Sequence, residues 1–153
     1  GEWIMAIFSA LNISATGMSA QRIRMDILAQ NMANVMTTRT EDGTPYIRKN
    51  VIFQEKPANS FSTILNSMTG SRNAYIGNGV KVSEIVEDTK TPMNMVYDPS
   101  HPDADENGYV TYPNVNAITE MTDLIDATRA YEANVTAFNA TKSMALKALE
   151  IGR

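Results

Sequence analysis

The sequence predicts a mainly α protein with a small β component: long amino- and carboxy-terminal helices paired as an antiparallel, coiled-coil-like core, with a short β-rich, turn-rich middle segment. Two sustained seven-residue repeats, one at each end of the 153-residue chain, predict the helices. All six prolines and most of the glycines lie between them, which predicts the break. The implied segments are an amino-terminal helical segment at 1–38, a middle segment at 39–113 and a carboxy-terminal helix within 114–153.

The first helix rests on Ile4, Leu11, Met18, Met25 and Met32, which recur every seven residues, with Ile7, Leu28 and Val35 three positions further on. Residues 1–38 carry no proline and only the charges Glu2, Arg22, Arg24 and Asp26. A second series, Ala6, Ile13, Ala20 and Ile27, sits about 200° away around the same helix at ~100° per residue. One partner cannot cover both faces.

The second helix, predicted from about Asn114 to Ile151, combines Leu124, Tyr131, Phe138 and Ala145 with an interleaved series of Met121, Thr128, Val135, Lys142 and Leu149. This alternating three-and-four spacing belongs to a coiled-coil seam. Pro113 and Asn114 suit its start and Gly152 its stop.

In the middle, Tyr46–Gln54 and Val80–Val86 read as strands bounded by the turn signals DGTP and GNG, and YVTY at 109–112 as a further short strand. Residues 57–79, rich in small polar side chains and without a clean period, read as a loop. At the standard rise, helices of about 30 and 37 residues run about 45 and 55 Å, against a radius of gyration of ~15 Å for a compact chain this size. An antiparallel pair is the natural arrangement. It leaves contiguous apolar surface exposed, and such surface marks a partner.

Composition narrows the function classes. The balance of 13 basic and 17 acidic residues, with no long run of either sign, lacks the concentrated basic face that nucleic acid requires. With no cysteine and a single histidine, thiolate sites, disulfides and multi-imidazole zinc sites are excluded. No apolar run approaches the roughly 20 residues that span a bilayer. No Lys or Arg precedes Arg22, so the positive flank of a cleaved secretory signal is missing. No cofactor is expected.

The stretch DADENGYVTYPN (103–114) has most of a calcium loop: carboxylates at positions one and three, an amide at five and glycine at six. Its twelfth position, however, holds Asn114 in place of a bidentate carboxylate. Pro99, Pro102 and Pro113 also fall where flanking helices belong. An acidic turn leading into a strand fits better, with a free-standing cation- or ligand-binding module using residues 98–108 as the alternative. Ser100, His101 and Asp103 are neighbours in a proline-bounded turn and do not make a catalytic triad, whose members must converge in space. No spacing marks the paired carboxylates of a glycosidase, and a wall-cleaving enzyme has no other support.

Ten methionines are many for this length, but Met18, Met25 and Met32 follow the seam, which predicts adaptable packing. Asn31 and Asn34 stand on adjacent turns near the end of the first helix, where an amide can close the helix or bond a neighbouring chain. Asn134 and Asn139 are candidates for fixing the register of a packed helix.

Taken in order, these stretches resemble a known family. ALNISATGMSAQRIRMDILAQNMANVMTTRT, DGTPYIRKNVIFQE, GVKVSEIVED, YDPSHPDADENGYVTYPNVN and MTDLIDATRAYEANVTAFNATKSMALKALEIG are similar to the landmarks of flagellar axial proteins, and within that family to those of a proximal rod subunit. Met36 stands where such sequences often carry a polar residue. The resemblance covers all but 1–4 and about 57–75. It implies a non-enzymatic subunit of the flagellar rod in the periplasm, exported by the flagellar type III apparatus without a cleaved signal. The implied partners are copies of itself, other rod subunits and the basal-body protein FliE. The predicted assembly interface then has Leu11, Met18, Met25 and Met32 packed against Leu124, Tyr131, Val135 and Phe138. Ile13, Ile27 and Leu146 face other subunits, and Leu28, Asn31, Asn34, Met121, Asn134 and Leu149 complete it.

Overall fold

The computed structural model describes residues 2–56 and 78–151, with side chains from Ile7 onward. Its elements are α1 (Glu2–Ala33), β1 (Lys49–Glu55), β2 (Val80–Glu87), β3 (Asn94–Tyr97), β4 (Tyr109–Tyr112) and α2 (Ala117–Ile151). Two long terminal helices flank a small β middle, as the repeats predict. The loop expected at 57–79 lies, up to residue 77, outside the described residues, as does the stop expected at Gly152.

Element boundaries follow from side-chain chemistry. Helix α1 ends at Ala33, five residues short of the predicted 38, because Asn34 closes it: its backbone N–H donates to the Gln30 and Asn31 carbonyls and its side-chain amide to Gln30 O at 2.9 Å. Helix α2 begins at Ala117. Its cap is Asn116, whose Oδ1 accepts from the backbone N–H of Ile118 at 3.0 Å and Thr119 at 3.3 Å. The predicted start at about Asn114 is therefore corrected by three residues. Asn114 is buried and serves elsewhere.

The strands form two two-stranded sheets, β1 with β2 and β3 with β4. Backbone bonds from Asp88 N to Arg48 O and from Lys56 N to Gly79 O make the first pair antiparallel. In the second, Asn94, Met95, Val96 and Tyr97 face Tyr112, Thr111, Val110 and Tyr109. The loop of this hairpin, 98–108, carries the acidic turn. Strand β3 was absent from the predicted elements. All four of its side chains are exposed, so no alternation of apolar and polar residues marks it.

The chain divides into two compact units. One comprises Gly1–Gln21, Phe53–Ser83 and Ala130–Arg153. Its buried apolar side chain among the described residues is Ala20. Gly17 sits so close to Asn134 that an added Cβ would lie 2.5 Å from Asn134 Oδ1. Gly79, at φ +97°, packs its Cα face onto Thr16 and the Ile13 backbone, and the next backbone N–H, from Val80, donates to Thr16 Oγ1 at 3.2 Å. Only glycine satisfies both the left-handed backbone and that approach.

The other unit, Arg22–Ile52 and Glu84–Arg129, buries Leu28, Tyr46, Val110, Val115 and Ala127 together with the polar Asn31, Asn114 and Glu120. Here α1 and α2 run antiparallel. Arg24 pairs with Asp123 at 3.6 Å, Met25 Sδ accepts from Thr128 Oγ1 at 3.5 Å, and Asn31 meets Glu120.

The seam of α2 differs from the predicted one in half of its positions. Leu124, Tyr131, Phe138 and Ala145 are at least half-buried, as expected, but the interleaved residues turned inward are Glu120, Ala127, Asn134 and Thr141. Met121, Thr128, Lys142 and Leu149 are exposed, and of that series only Val135 is half-buried. Small and polar residues occupy the inner positions because the approach is close and because the junction below needs an acid there. A seam judged by hydrophobicity alone passes over them.

Candidate functional site

Two features stand out: a buried polar junction, and apolar side chains that the chain leaves uncovered. The junction lies in the second unit and centres on Asn31, with no exposed surface. Its Nδ2 donates to Lys49 O and to Glu120 Oε2, both at 2.9 Å. Its Oδ1 accepts from Lys49 N and from the Tyr46 hydroxyl, again at 2.9 Å. An amide has two donors and two acceptor positions, and all are satisfied. Asn31 thus pairs with the Lys49 peptide as a neighbouring strand would, while reaching α2 with its remaining donor.

Glu120, 1% exposed, takes the second half of the junction. Its Oε1 accepts from Arg48 Nε at 2.5 Å. The Arg48 guanidinium also lies 3.9 Å from Asp88 and 3.6 Å from Asp123. Asn114 anchors the same residue from below: its Oδ1 accepts from Arg48 N at 2.9 Å, and its Nδ2 donates to the carbonyls of Asp88 at 2.7 Å and Thr91 at 3.2 Å. The end of α1, the start of β1, the end of β2 and the start of α2 therefore meet at one buried cluster. Buried charge is tolerated here because it is paired and hydrogen-bonded.

The electrostatics follow. Burial pushes the Tyr46 hydroxyl above its ordinary range, and the negative charges of Glu120 and Glu87 act in the same direction. The Lys49 ammonium lies 5.8 Å from the Tyr46 ring centre. At the end of β2, the Thr91 hydroxyl and N–H hold Asp88 below the usual carboxylate range.

A raised tyrosine makes the folded state hold a proton that the unfolded chain gives up near pH 10. Its stabilisation is present below that pH and is lost as pH rises further. We expect Tyr46→Phe to be less stable than the parent by about 1 kcal/mol at neutral pH, through loss of the bond to Asn31. The gap narrows above pH 10, as denaturant titrations across pH would show.

The acidic turn has internal uses for its carboxylates. Asp105 Oδ1 accepts from the backbone N–H of Asn107 at 2.9 Å and Tyr109 at 2.8 Å, folding the tip of the hairpin. Asp103 accepts from Thr38 Oγ1 at 2.8 Å and lies 3.8 Å from Arg39. Gly108 takes φ +82°. Among the described residues no group of three or more His, Asp or Glu side chains is placed to hold a metal ion. The Ser100 hydroxyl donates to Asp98 at 2.6 Å, and His101 Nδ1 accepts from Asp103 N at 3.1 Å. No nucleophile and base are brought together there.

The predicted interface residues fall into three groups. Leu28 and Asn31, both in the predicted interface set, are buried within the chain, and Asn31 is the centre of the junction. Leu11, Ile13, Met18, Met25, Ile27, Met32, Asn34, Leu124, Tyr131, Asn134, Val135 and Phe138 are half-buried. Met121, Leu146 and Leu149 are exposed. They are joined by residues the repeats did not single out: Ile118, 77% exposed, Ile125 and Met144 on α2, Phe8 on α1, and Met95, Val96 and Tyr97 on β3. Ile118, Met121 and Ile125 share one helical face by their spacing. Arg48, Asn114 and Glu120 were also missed as a set. Their signal is invisible to pattern reading, because Arg48 meets Asn114 and Glu120 from 66 and 72 residues away. No helix among the described residues is long and apolar enough to cross a membrane.

Comparison with known proteins places both ends of the chain in one context. Residues 11–39 match the model of flagella basal body rod proteins, and residues 106–151 match that of the C-terminal region of flagellar basal body rod FlgEFG proteins. The chain is similar to the flagellar basal-body rod protein FlgC of Bacillus subtilis, with 55% identity covering 97% of this chain and 100% of the relative. The FlgC of Borreliella burgdorferi is 45% identical over 96% and 98%, and that of Salmonella typhimurium 36% identical over 97% and 100%.

Proposed function

Because the chain belongs to the family of the flagellar basal-body rod protein FlgC, we propose that it is a structural, non-enzymatic subunit of the proximal rod. Its terminal helices assemble with copies of itself and with other rod subunits into a helical drive shaft that transmits torque. The observation that carries this reading is the uncovered apolar surface of α2: Ile118, Met121 and Ile125 towards its start, Met144, Leu146, Leu149 and Ile151 towards its end. A lone chain gains nothing by exposing such stripes, whereas a neighbour covering them recovers about 25 cal/mol for each Å2 removed from water.

In this role residues 1–38 and 114–153 form the assembly core, and 39–113 bridge to neighbours through surfaces such as the exposed face of β3. Ile13, Ile27, Met121, Leu146 and Leu149 contact other subunits. Contacts of this kind are heterologous, so they repeat along an open helical assembly instead of closing on themselves. FliE and the adjoining proximal rod proteins are the neighbours. The rod crosses the periplasm, and the chain reaches it through the flagellar type III apparatus. The thinly buried terminal segments complete their order on docking.

The test uses cells in which this chain is the sole source of the subunit. Met121→Glu with Ile125→Glu is expected to leave the free protein folded, within about 0.5 kcal/mol of the parent as for ordinary surface substitutions. The same variant should fail to appear in purified basal bodies and should abolish swimming. Normal incorporation and motility would remove the α2 face from the assembly. Circular dichroism should also show a helix gain between dilute chain and assembled material.

A further inference from the structure

We propose that the buried Asn31–Glu120 pair sets the axial register of α1 against α2, acting as a lock that forbids sliding by one heptad. The inference concerns the single chain and does not depend on the assembly reading. A seam of adaptable methionines repeating every seven residues is a weak register signal. Sliding α1 by seven places Met25 where Met18 or Met32 stood, and methionine repacks readily. Leu124 and Tyr131 are similarly spaced on the other helix. Apolar packing alone therefore leaves three alignments close in free energy.

Asn31 removes that degeneracy. In the observed alignment all its hydrogen-bonding positions are filled, one of them by Glu120 Oε2 at 2.9 Å across the helix pair. A slide in one direction brings Asn31 level with Pro113, ahead of the start of α2 at Ala117, and Glu120 level with Arg24. A slide in the other direction brings Asn31 level with Ala127, which is wholly buried, and Glu120 level with Thr38, beyond the end of α1. Either move takes Asn31 off its acceptor on α2, and β1, tied to Asn31 at Lys49 and to Glu120 at Arg48, must give up one of the two. A buried amide left without partners is heavily disfavoured. A single buried asparagine fixing helix register is the best-attested use of a polar group in such seams.

Because the chain has no cysteine, engineered thiols can report the alignment directly. Met25→Cys with Thr128→Cys reports the observed register, since those side chains already touch at 3.5 Å. Met25→Cys with Met121→Cys reports one slide, and Met32→Cys with Thr128→Cys the other. Each pair is treated with a short bis-maleimide in the otherwise native chain and in Asn31→Leu/Glu120→Leu.

We expect only the first pair to link in the native background. In the leucine background the slid pairs should rise by about tenfold for each polar partner removed, with helix content retained. Unchanged selectivity for the first pair would overturn the proposal. Should the leucine variant lose its helix signal, the Met25→Cys/Thr128→Cys chain carrying it is linked under refolding conditions. Recovery of helix by the tether supports the lock, because alignment is what was missing. Failure to recover overturns it, because the pair then serves stability and not alignment.

Discussion

Replacing Arg48 with methionine is expected to destabilise the protein by about 3 kcal/mol, the low end of the range for stripping one partner from a buried ion pair. Glu120 is 1% exposed and its Oε1 is held by Arg48 Nε at 2.5 Å. Without the guanidinium that carboxylate is left buried with only the Asn31 amide. Asp88 and Asp123 also lose their common counter-charge. Lysine at the same position should restore only part of the loss, because it lacks the fork that serves three carboxylates together. Glu120→Gln should cost less than Arg48→Met, since it removes the buried charge while keeping an acceptor for Asn31. Urea titration with an unchanged slope is the measurement. A chain of this size should melt about 6–12 °C lower at 2–4 °C per kcal/mol. A loss under about 0.5 kcal/mol, typical of surface sites, would show that the junction is not an electrostatic brace.

The second large effect is expected at Gly79. Alanine there meets two penalties: a left-handed backbone at φ +97°, worth about 1–2 kcal/mol to a residue with a Cβ, and a Cβ that would overlap Thr16 Oγ1. Relieving the overlap turns the hydroxyl away from Ile13 O and from Val80 N. Each lost bond adds about 1 kcal/mol, so Gly79→Ala should cost about 3 kcal/mol in all. Thr16→Ala removes the obstructing oxygen, so the double variant should be more stable than the sum of the two single losses. Strict additivity in a denaturant cycle would mean that backbone strain alone sets the cost.

These two residues show what could and could not be seen in the primary structure. The helices were legible because their apolar residues recur at a fixed period over many turns. Strands β1 and β2 were legible because apolar runs sit between glycine-bearing turns. The inner face of α2 was half-legible: Leu124, Tyr131 and Phe138 announce it, but Glu120, Ala127 and Asn134 do not look like a seam. Asn114 and Asn116 are chemically the same residue, and only the three-dimensional context makes one a cap and the other a bridge to Arg48. The sequence distinguishes the acidic turn from a calcium loop by its twelfth position and its prolines. What its carboxylates hold instead, the backbone amides of 107 and 109, emerged from the structure. Asn31 was singled out by its place near a helix end, yet its four partners come from segments that no spacing rule connects.

The separation of Asn31 from Glu120 along the chain, 89 residues, has a consequence for the order of events in the cell. Closing a loop of that size costs about 4 kcal/mol of entropy on the logarithmic scaling alone, so this contact forms late among the native ones. During synthesis from the amino end, the nascent polypeptide carries Asn31 without its acid until the start of α2 has been made. A fragment ending before that point can make the bonds to Tyr46 and Lys49 but leaves one donor of the amide without its acceptor, and α1 without the helix it packs on. The molecule is thus easiest to thread through a narrow conduit before its last third has found the first, and hardest to pull apart afterwards.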